Sequence, residues 1–337
     1  MAGACPVSLA AAVANAGGMG GIGALLNGPD AIAAWANEFH DQSNGGFQAN
    51  LWIPDPPPQR DKAHEARVRE FLGQWGPAVA ETAGDAPLID FGAQCDALLA
   101  AAPRVVSSIM GLFPEKFVTA IKARGIAWFA CATTLAEARE AENAGADAIV
   151  AQGSEAGGHR GAFDGDKAEQ QLVGLFALVP RLADKISLPI IATGGIGDAR
   201  GVAAALLLGA SAAQLGTALL RTPEAKLNPA WADALARTAP EDTMVSRVFS
   251  GRPGRSIGTD YVRAATAADA PPPAPYPIQR GLTAAMCNEA SKAGDANRMQ
   301  VWAGQSARLA RADPAGQVLR EIWDGARRLL GWSTAAV

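Results

Sequence analysis

Short apolar runs alternate along this chain with longer segments whose apolar residues recur at helical spacing. Residues 21–25, 47–53, 105–110, 127–131, 148–152, 189–193 and 212–215 read as strands. Between them, residues 6–16, 29–39, 61–81, 114–124, 135–144, 168–182 and 199–208 read as helices. Several of these helices open on a proline or a capping residue: Pro29, Pro114, Thr134 ahead of Glu137, and Asp198. Several close on glycine, at Gly17, Gly125, Gly145 and Gly209. Strictly alternating strand and helix predicts a parallel sheet of the α/β class.

Seven strands are legible, whereas a closed (β/α)8 TIM-type barrel needs eight. The eighth should precede the first helix, where only residues 1–4 stand. Either that strand lies upstream of this start or the sheet is an open wound one. The chemistry at the strand ends favours a barrel lacking its N-terminal first strand. Beyond Arg221 the pattern changes: 229–243 reads as helical, 250–255 as a loop and 270–277 as a proline-rich stretch, and helical patterns resume over 280–292 and 299–330. The expected organisation is a barrel over 1–225, completed by helices of 299–330, with a small, mainly helical cap over 226–298.

Composition narrows the function. Hydrophobic residues make up 49% and charged residues 18% of 337 residues, which suits a globular chain with a substantial core. A net charge of −4 argues against a nucleic-acid partner, which needs a basic stripe. Cys5, Cys95, Cys131 and Cys287 form no C-x-x-C pair and no histidine is spaced to complete a zinc site, so no metal is expected. Scattered single cysteines suit a reducing compartment. The first Lys or Arg is Arg60, unlike a signal peptide's charged start. No apolar run reaches the roughly 18–20 residues of a spanning helix. A cytoplasmic, soluble protein with no membrane partner is the expectation.

Barrel active sites lie where strands end. After the strand at 148–152 comes Gln152-Gly153-Ser154-Glu155-Ala156-Gly157-Gly158-His159-Arg160-Gly161. Here glycines that let main-chain N–H groups approach a ligand stand beside Gln, Glu and His. Thr193-Gly194-Gly195-Ile196-Gly197-Asp198 and Gly216-Thr217 follow the last two strands, the usual place of a phosphate cradle in such barrels. Of three histidines, only His159 stands at a strand end; His40 closes a helix and His64 sits on a charged one, so both read as structural. Glu155 reads equally as a partner of His159 or as a solvated carboxylate. Gly18-Met19-Gly20-Gly21-Ile22-Gly23 matches the spacing G-x-G-x-x-G. It follows a helix and runs into a strand, the reverse of a dinucleotide fingerprint.

These residues resemble the nitronate monooxygenases, formerly called 2-nitropropane dioxygenases, over roughly residues 1–310. The segment from Gln152 to Gly161 is the most specific piece. Ala192-Thr193-Gly194-Gly195-Ile196, Gln214-Leu215-Gly216-Thr217, Asn50-Leu51 and Trp302-Ala303-Gly304-Gln305 support it, and Ala10 to Gly18 is similar to the family's alanine-rich run. The resemblance implies a (β/α)8 barrel with a helical cap and non-covalent FMN. Asn50, Gln152, Gly157, Gly158, Gly194, Gly195, Gln214, Leu215, Gly216 and Thr217 would contact the flavin. Met1, Ala2 and Gly3 match the end of the family's first strand and are what this chain retains of that contact. His159 would face the substrate, with Tyr276 and Gln305 approaching from the cap and the returning helix. Members with the late tryptophan motif often carry a lysine on the helix after the tyrosine-bearing loop. Here Gly281-Leu282-Thr283-Ala284-Ala285-Met286 has none, which removes that holder of an anionic substrate.

The activity implied is oxidation of alkyl nitronates, such as propionate 3-nitronate, with O2. A nitronate is already a carbanion equivalent, so no strong base is required. His159 would donate a hydrogen bond to the nitronate or to the reduced flavin, or serve as base towards neutral nitroalkanes. Two alternatives stay open: an NAD(P)H-dependent quinone or enoyl-thioester reductase on the same scaffold, and a non-catalytic flavin- or phosphate-binding relative. A homodimer is compatible with the sequence.

Overall fold

The computed structural model describes residues 3–85 and 87–332. Its strands are β1 (Gly20–Gly23), β2 (Phe47–Trp52), β3 (Val105–Ile109), β4 (Ala127–Ala132), β5 (Ala148–Gln152), β6 (Gly158–His159), β7 (Ile190–Thr193), β8 (Ala212–Gln214), β9 (Thr243–Ser246) and β10 (Gly254–Ile257). Seven of them form one parallel sheet in the order β1-β2-β3-β4-β5-β7-β8. Neighbours in sequence are neighbours in space, as in a TIM-type barrel with one strand absent. The seven expected strands are all present, within a residue or two at each end.

The two-residue period of a strand decides what the barrel encloses. Gln48, Asn50 and Trp52 of β2 point inward, as do Ser107 and Ile109, Phe129 and Cys131, Val150 and Gln152, and Ile191 and Thr193. The alternate residues, among them Ala49, Leu51, Trp128, Ala130, Ile149, Ala151 and Ala192, are buried against the outer helices in the main core. Each fully buried large aliphatic side chain there contributes about 1.5–3 kcal/mol. Thr134 and Glu137 form a capping box on the helix Leu135–Asn143. Asp198 caps Ala199–Leu207 through the amides of Arg200 and Gly201. The segment from Gly18 to Gly23 follows the helix Val7–Asn15 and supplies β1, so its glycine spacing is strand sequence and not a dinucleotide loop.

β1 and β8 are the edges of the sheet and do not pair with each other. The helix Ala315–Leu329 lies across this seam, packed on Val7–Asn15 and Ala199–Leu207. Its Leu319 and Ile322 line the cavity inside the sheet. That helix is shorter than the reading of 299–330. Residues around Val301 and Trp302 are extended instead, bridging Ser256 beside β10, and Pro314 precedes the helix start.

Val248, Phe249, Tyr261, Ile278, Leu282, Met286 and Trp302 pack into a second core, joined by Val68 and Leu72 of the helix Lys62–Leu72. A second sheet, three-stranded and antiparallel, runs β6-β10-β9. The sequence pattern predicts helix over 229–243 and a loop over 250–255. The chain forms a helix only over Pro229–Arg237, and strands follow. The helix Phe91–Ala101, capped by Asp90, was also not anticipated. Strands of four residues and a helix of weak amphipathicity leave too few positions for a period to show.

Candidate active site

A cavity of about 660 Å³ occupies the barrel mouth. Gly157 from the loop after β5, Gly158 at the start of β6, Gly194 and Gly195 after β7, Gln214 at the end of β8, and Leu215, Gly216 and Thr217 after it all line it. So do Asn50, Gln152, His159 and Tyr276. The two glycine loops lie side by side because Thr193 pairs with Gln214. Gln305 does not line the cavity, although Gly304 and Ser306 do, and Gly3 stops short of it while Ala4 and Cys5 reach it. Met1 and Ala2 lie outside the described residues.

The floor is built from backbone. Gly194 and Gly195 have φ of +114° and +65°, values that a side chain would strain. A Cβ on Gly157 would lie 2.4 Å from the Gly304 nitrogen and 2.6 Å from the Ala303 carbonyl carbon. The segment from Gly304 to Ser306 staples three loops together. The Gly304 amide donates to Thr217 Oγ1 (3.0 Å), the Gln305 amide to the Glu155 carbonyl (3.0 Å), and the Ser306 hydroxyl to the Gly195 carbonyl. This gives the late Trp-Ala-Gly-Gln motif a physical task. Gln305 serves through its main chain, not as a side chain in the substrate pocket.

Gln152 organises the loop that carries the histidine. Its Nε2 donates to the His159 carbonyl (3.0 Å), and its Oε1 accepts from the Gly161 amide (2.7 Å) and Arg160 Nη1 (3.2 Å). Asn50 donates to Ser107 Oγ (2.9 Å). Glu155 is neither a partner of His159 nor a solvated carboxylate: it accepts the Leu175 amide (3.0 Å) at the start of the helix Leu175–Ala183. That cap comes from a distant loop, which explains why the helix starts seven residues later than its local pattern suggests.

The roof is built from side chains. The His159 ring stands between Trp52, 4.6 Å away at 79°, and Trp302, 4.7 Å away at 57°. Tyr276 leans on Trp52 at 5.3 Å. His159 Nε2 lies 2.7 Å from Ser250 Oγ, which also touches the main chain of Arg252. Whichever of the two carries the shared proton, Nε2 is committed to Ser250 and Nδ1 remains for a ligand. The half-buried residue borders the cavity. Burial, then the charges of Arg252 and Arg280, push its pKa down to about 3. It is therefore a neutral imidazole at neutral pH. Burial raises the Tyr276 phenol as well.

Trp52, Ser250 and Arg280 were not singled out from sequence. Trp52 was within reach, since it stands two residues after Asn50 and a strand turns both to one face. Ser250 and Arg280 carry no local signal. Arg280 stands one residue before the window in which a lysine was sought.

A half-barrel of parallel strands with a glycine-built floor and a neutral histidine under an aromatic roof defines an oxidoreductase scaffold in which a cofactor does the redox work. The family model for nitronate monooxygenases matches residues 1–325, and the chain belongs to that family. It is 38% identical to the nitronate monooxygenase of Pseudomonas aeruginosa, over 96% of this chain and 93% of that one. It is 32% identical to the probable nitronate monooxygenase of Staphylococcus aureus Newman, over 96% and 91%. Among solved structures it resembles a nitroalkane oxidase from Streptomyces ansochromogenes, with a TM-score of 0.88 and 33% identity over 98% and 95% of the two chains. It also resembles FabK from Thermotoga maritima, with a TM-score of 0.75 and 27% identity over 98% and 92%. The chain is thus an oxidoreductase of the nitronate monooxygenase type, a flavin-dependent class. Among the described residues no helix is long and apolar enough to cross a membrane.

Proposed function

We propose that the protein holds FMN non-covalently and oxidises alkyl nitronates, propionate 3-nitronate among them, with O2. One observation carries this reading: the glycine loops at Gly195 and Gly216-Thr217 line the same cavity as His159. Its volume of about 660 Å³ falls within the range of cofactor sites. The residues fit the group. Main-chain amides of Gly194, Gly195, Gly216 and Thr217 would take the phosphate. Asn50, Gln152, Gly157, Gly158, Gln214 and Leu215 would border the ring and its ribityl chain. FMN, once bound, would supply the redox chemistry between the nitronate and oxygen.

The protein's own part is positional. With Ser250 Oγ–H donating to Nε2, His159 carries its proton on Nδ1 and, wedged between two indoles, would donate it to the nitronate from a fixed orientation. Trp52, Tyr276 and Trp302 exclude water, which strengthens that polar contact. An imidazole held near pKa 3 is a weak base. The site therefore suits substrates that arrive already ionised better than neutral nitroalkanes. The division into a barrel over 1–225 and a cap over 226–298 is part of this proposal, with Lys62–Leu72 lending apolar residues to the cap core. A cytoplasmic homodimer completes it, and light scattering tests the dimer.

The experiment is oxygen uptake by FMN-reconstituted protein with propionate 3-nitronate and small alkyl nitronates, beside NADH plus a quinone. Turnover of nitronates alone supports the reading. The likeness to FabK favours a reductase as the rival, and rapid turnover with NADH and no nitro compound would establish it in its place.

A further inference from the structure

Arg160 directly follows β6 and is buried, 1% exposed. His159 lines the cavity and Arg160 does not, as the alternation of a strand requires. The guanidinium therefore lies behind the cavity wall. Its Nη1 donates to oxygens at the end of β5: the main-chain carbonyls of Gly153 (2.7 Å) and Gln152 (3.3 Å), and Gln152 Oε1 (3.2 Å). Its Nε and Nη2 are buried without a hydrogen-bond partner.

The acidic neighbours of Arg160, Glu137 and Glu155, reach it only through space. Both are committed elsewhere, Glu137 to the amides of Thr133 (2.6 Å) and Phe163 (2.9 Å), Glu155 to that of Leu175 (3.0 Å). A second buried guanidinium, Arg255, is near enough for the two charges to repel, and it holds the next carbonyl of the same loop, Ser154 (2.9 Å). Holding carbonyls does not account for an arginine here. A neutral donor would serve, and a buried cation with bare nitrogens is costly.

Gln152 connects this charge to the cavity, which it lines. The Gly161 amide (2.7 Å) and Arg160 hold its Oε1, and its Nε2 gives one hydrogen to the His159 carbonyl (3.0 Å). The other Nε2 hydrogen meets no acceptor among the described residues. A cation on the oxygen side polarises the amide and makes that N–H a stronger donor.

We propose that Arg160 is a positioning residue for the redox step: acting through Gln152, its buried charge favours negative charge on a flavin ring in the cavity. This rests on the FMN reading above. The oxidised ring is neutral. Two electrons, which the nitronate gives up in that reading, and one proton turn it into an anion. A positive charge behind the wall, weakly screened there, draws this equilibrium towards the reduced ring.

Sulfite tests the proposal without turnover. Its sulfur lone pair forms a bond to N5 of the oxidised ring and leaves the ring anionic, so its affinity reports the charge around the ring. FMN-loaded wild type, Arg160→Met and Arg160→Lys are titrated with sulfite, and separately with dithionite against a reference dye. Arg160→Met should weaken sulfite binding about tenfold. It should also shift the two-electron equilibrium about tenfold against the reduced ring, or about 30 mV. Arg160→Lys should recover most of both. A residue that only clamps carbonyls would change FMN affinity and Tm on substitution, while the flavin that stays bound kept wild-type sulfite affinity and reduction equilibrium. That result overturns the proposal. If Arg160→Met does not fold, Gln152→Glu sets a carboxylate against Arg160 in nearly the same volume. It should weaken sulfite binding likewise, and unchanged affinity there overturns the proposal too. Wild type that takes up no FMN sinks the functional reading and this inference with it. FMN uptake with no effect of Arg160 sinks this inference alone.

Discussion

The floor and the roof of this cavity are made of different materials. The floor, formed by the loops after β5, β7 and β8, is main chain: Gly157, Gly194 and Gly195 present no side chains because none would fit. The roof is almost entirely side chain, with Trp52 from β2, His159 from β6, Tyr276 from the cap and Trp302 from the returning segment meeting at ring distances of 4.6 to 5.3 Å. A backbone floor can hold a ligand's phosphate in one way and tolerates little change. A side-chain roof can be altered residue by residue without disturbing the floor. Cofactor retention should therefore depend on the first, and substrate handling on the second.

Substitution of Gly157 breaks that comparison hardest. Gly157→Ala forces a methyl against the main chain at Gly304 and Ala303, and neither can rotate away. Loss of FMN affinity by at least ~100-fold is expected, with a cost of about 1–3 kcal/mol from overpacking. Flavin absorbance after desalting and the thermal midpoint measure the two. Next comes His159→Asn, which should lower kcat/KM for nitronates about 100-fold while the protein keeps its flavin. Retained flavin with lost turnover is the signature of a roof residue. Colourless protein would show that His159 belongs to the floor.

Ser250→Ala is the milder version of the same experiment. It frees Nε2 of His159 and leaves the two indoles in place. A fall of about tenfold in kcat/KM follows from losing one buried hydrogen bond, again with flavin retained. The smallest effect is on stability against pH. Folding lowers the His159 pKa from 6.5 to about 3. Between those values the unfolded chain binds a proton that the folded chain refuses. This contribution to stability is therefore complete above pH ~6.5 and shrinks as pH falls towards 3. Urea unfolding at pH 7 and pH 5.5 should show a smaller loss on acidification for His159→Asn than for wild type.

The floor was legible in the sequence and the roof only in part, for a physical reason. Glycines with positive φ leave a local mark, since nothing else serves at Gly194 and Gly195. The two loops could be placed together because consecutive strands of such a barrel are neighbours. His159 stood out by its position at a strand end. The partners that set its properties, Ser250, Trp302 and Arg280, come from segments 91, 143 and 121 residues further along the chain. They meet it only through packing of the cap. Glu155 shows the same limit in reverse: beside the histidine in sequence, it caps a helix that starts 20 residues later. The small sheet β6-β10-β9 also escaped notice, because a two-residue strand has no period to read.

Anaerobic mixing of the FMN-loaded protein with an alkyl nitronate, and separately with NADH, tests the central claim most directly. The nitronate should bleach the flavin band in wild type, with the rate falling about 100-fold in His159→Asn, and NADH should leave the band unchanged. Bleaching by NADH alone, or a nitronate reaction indifferent to His159, would contradict the account.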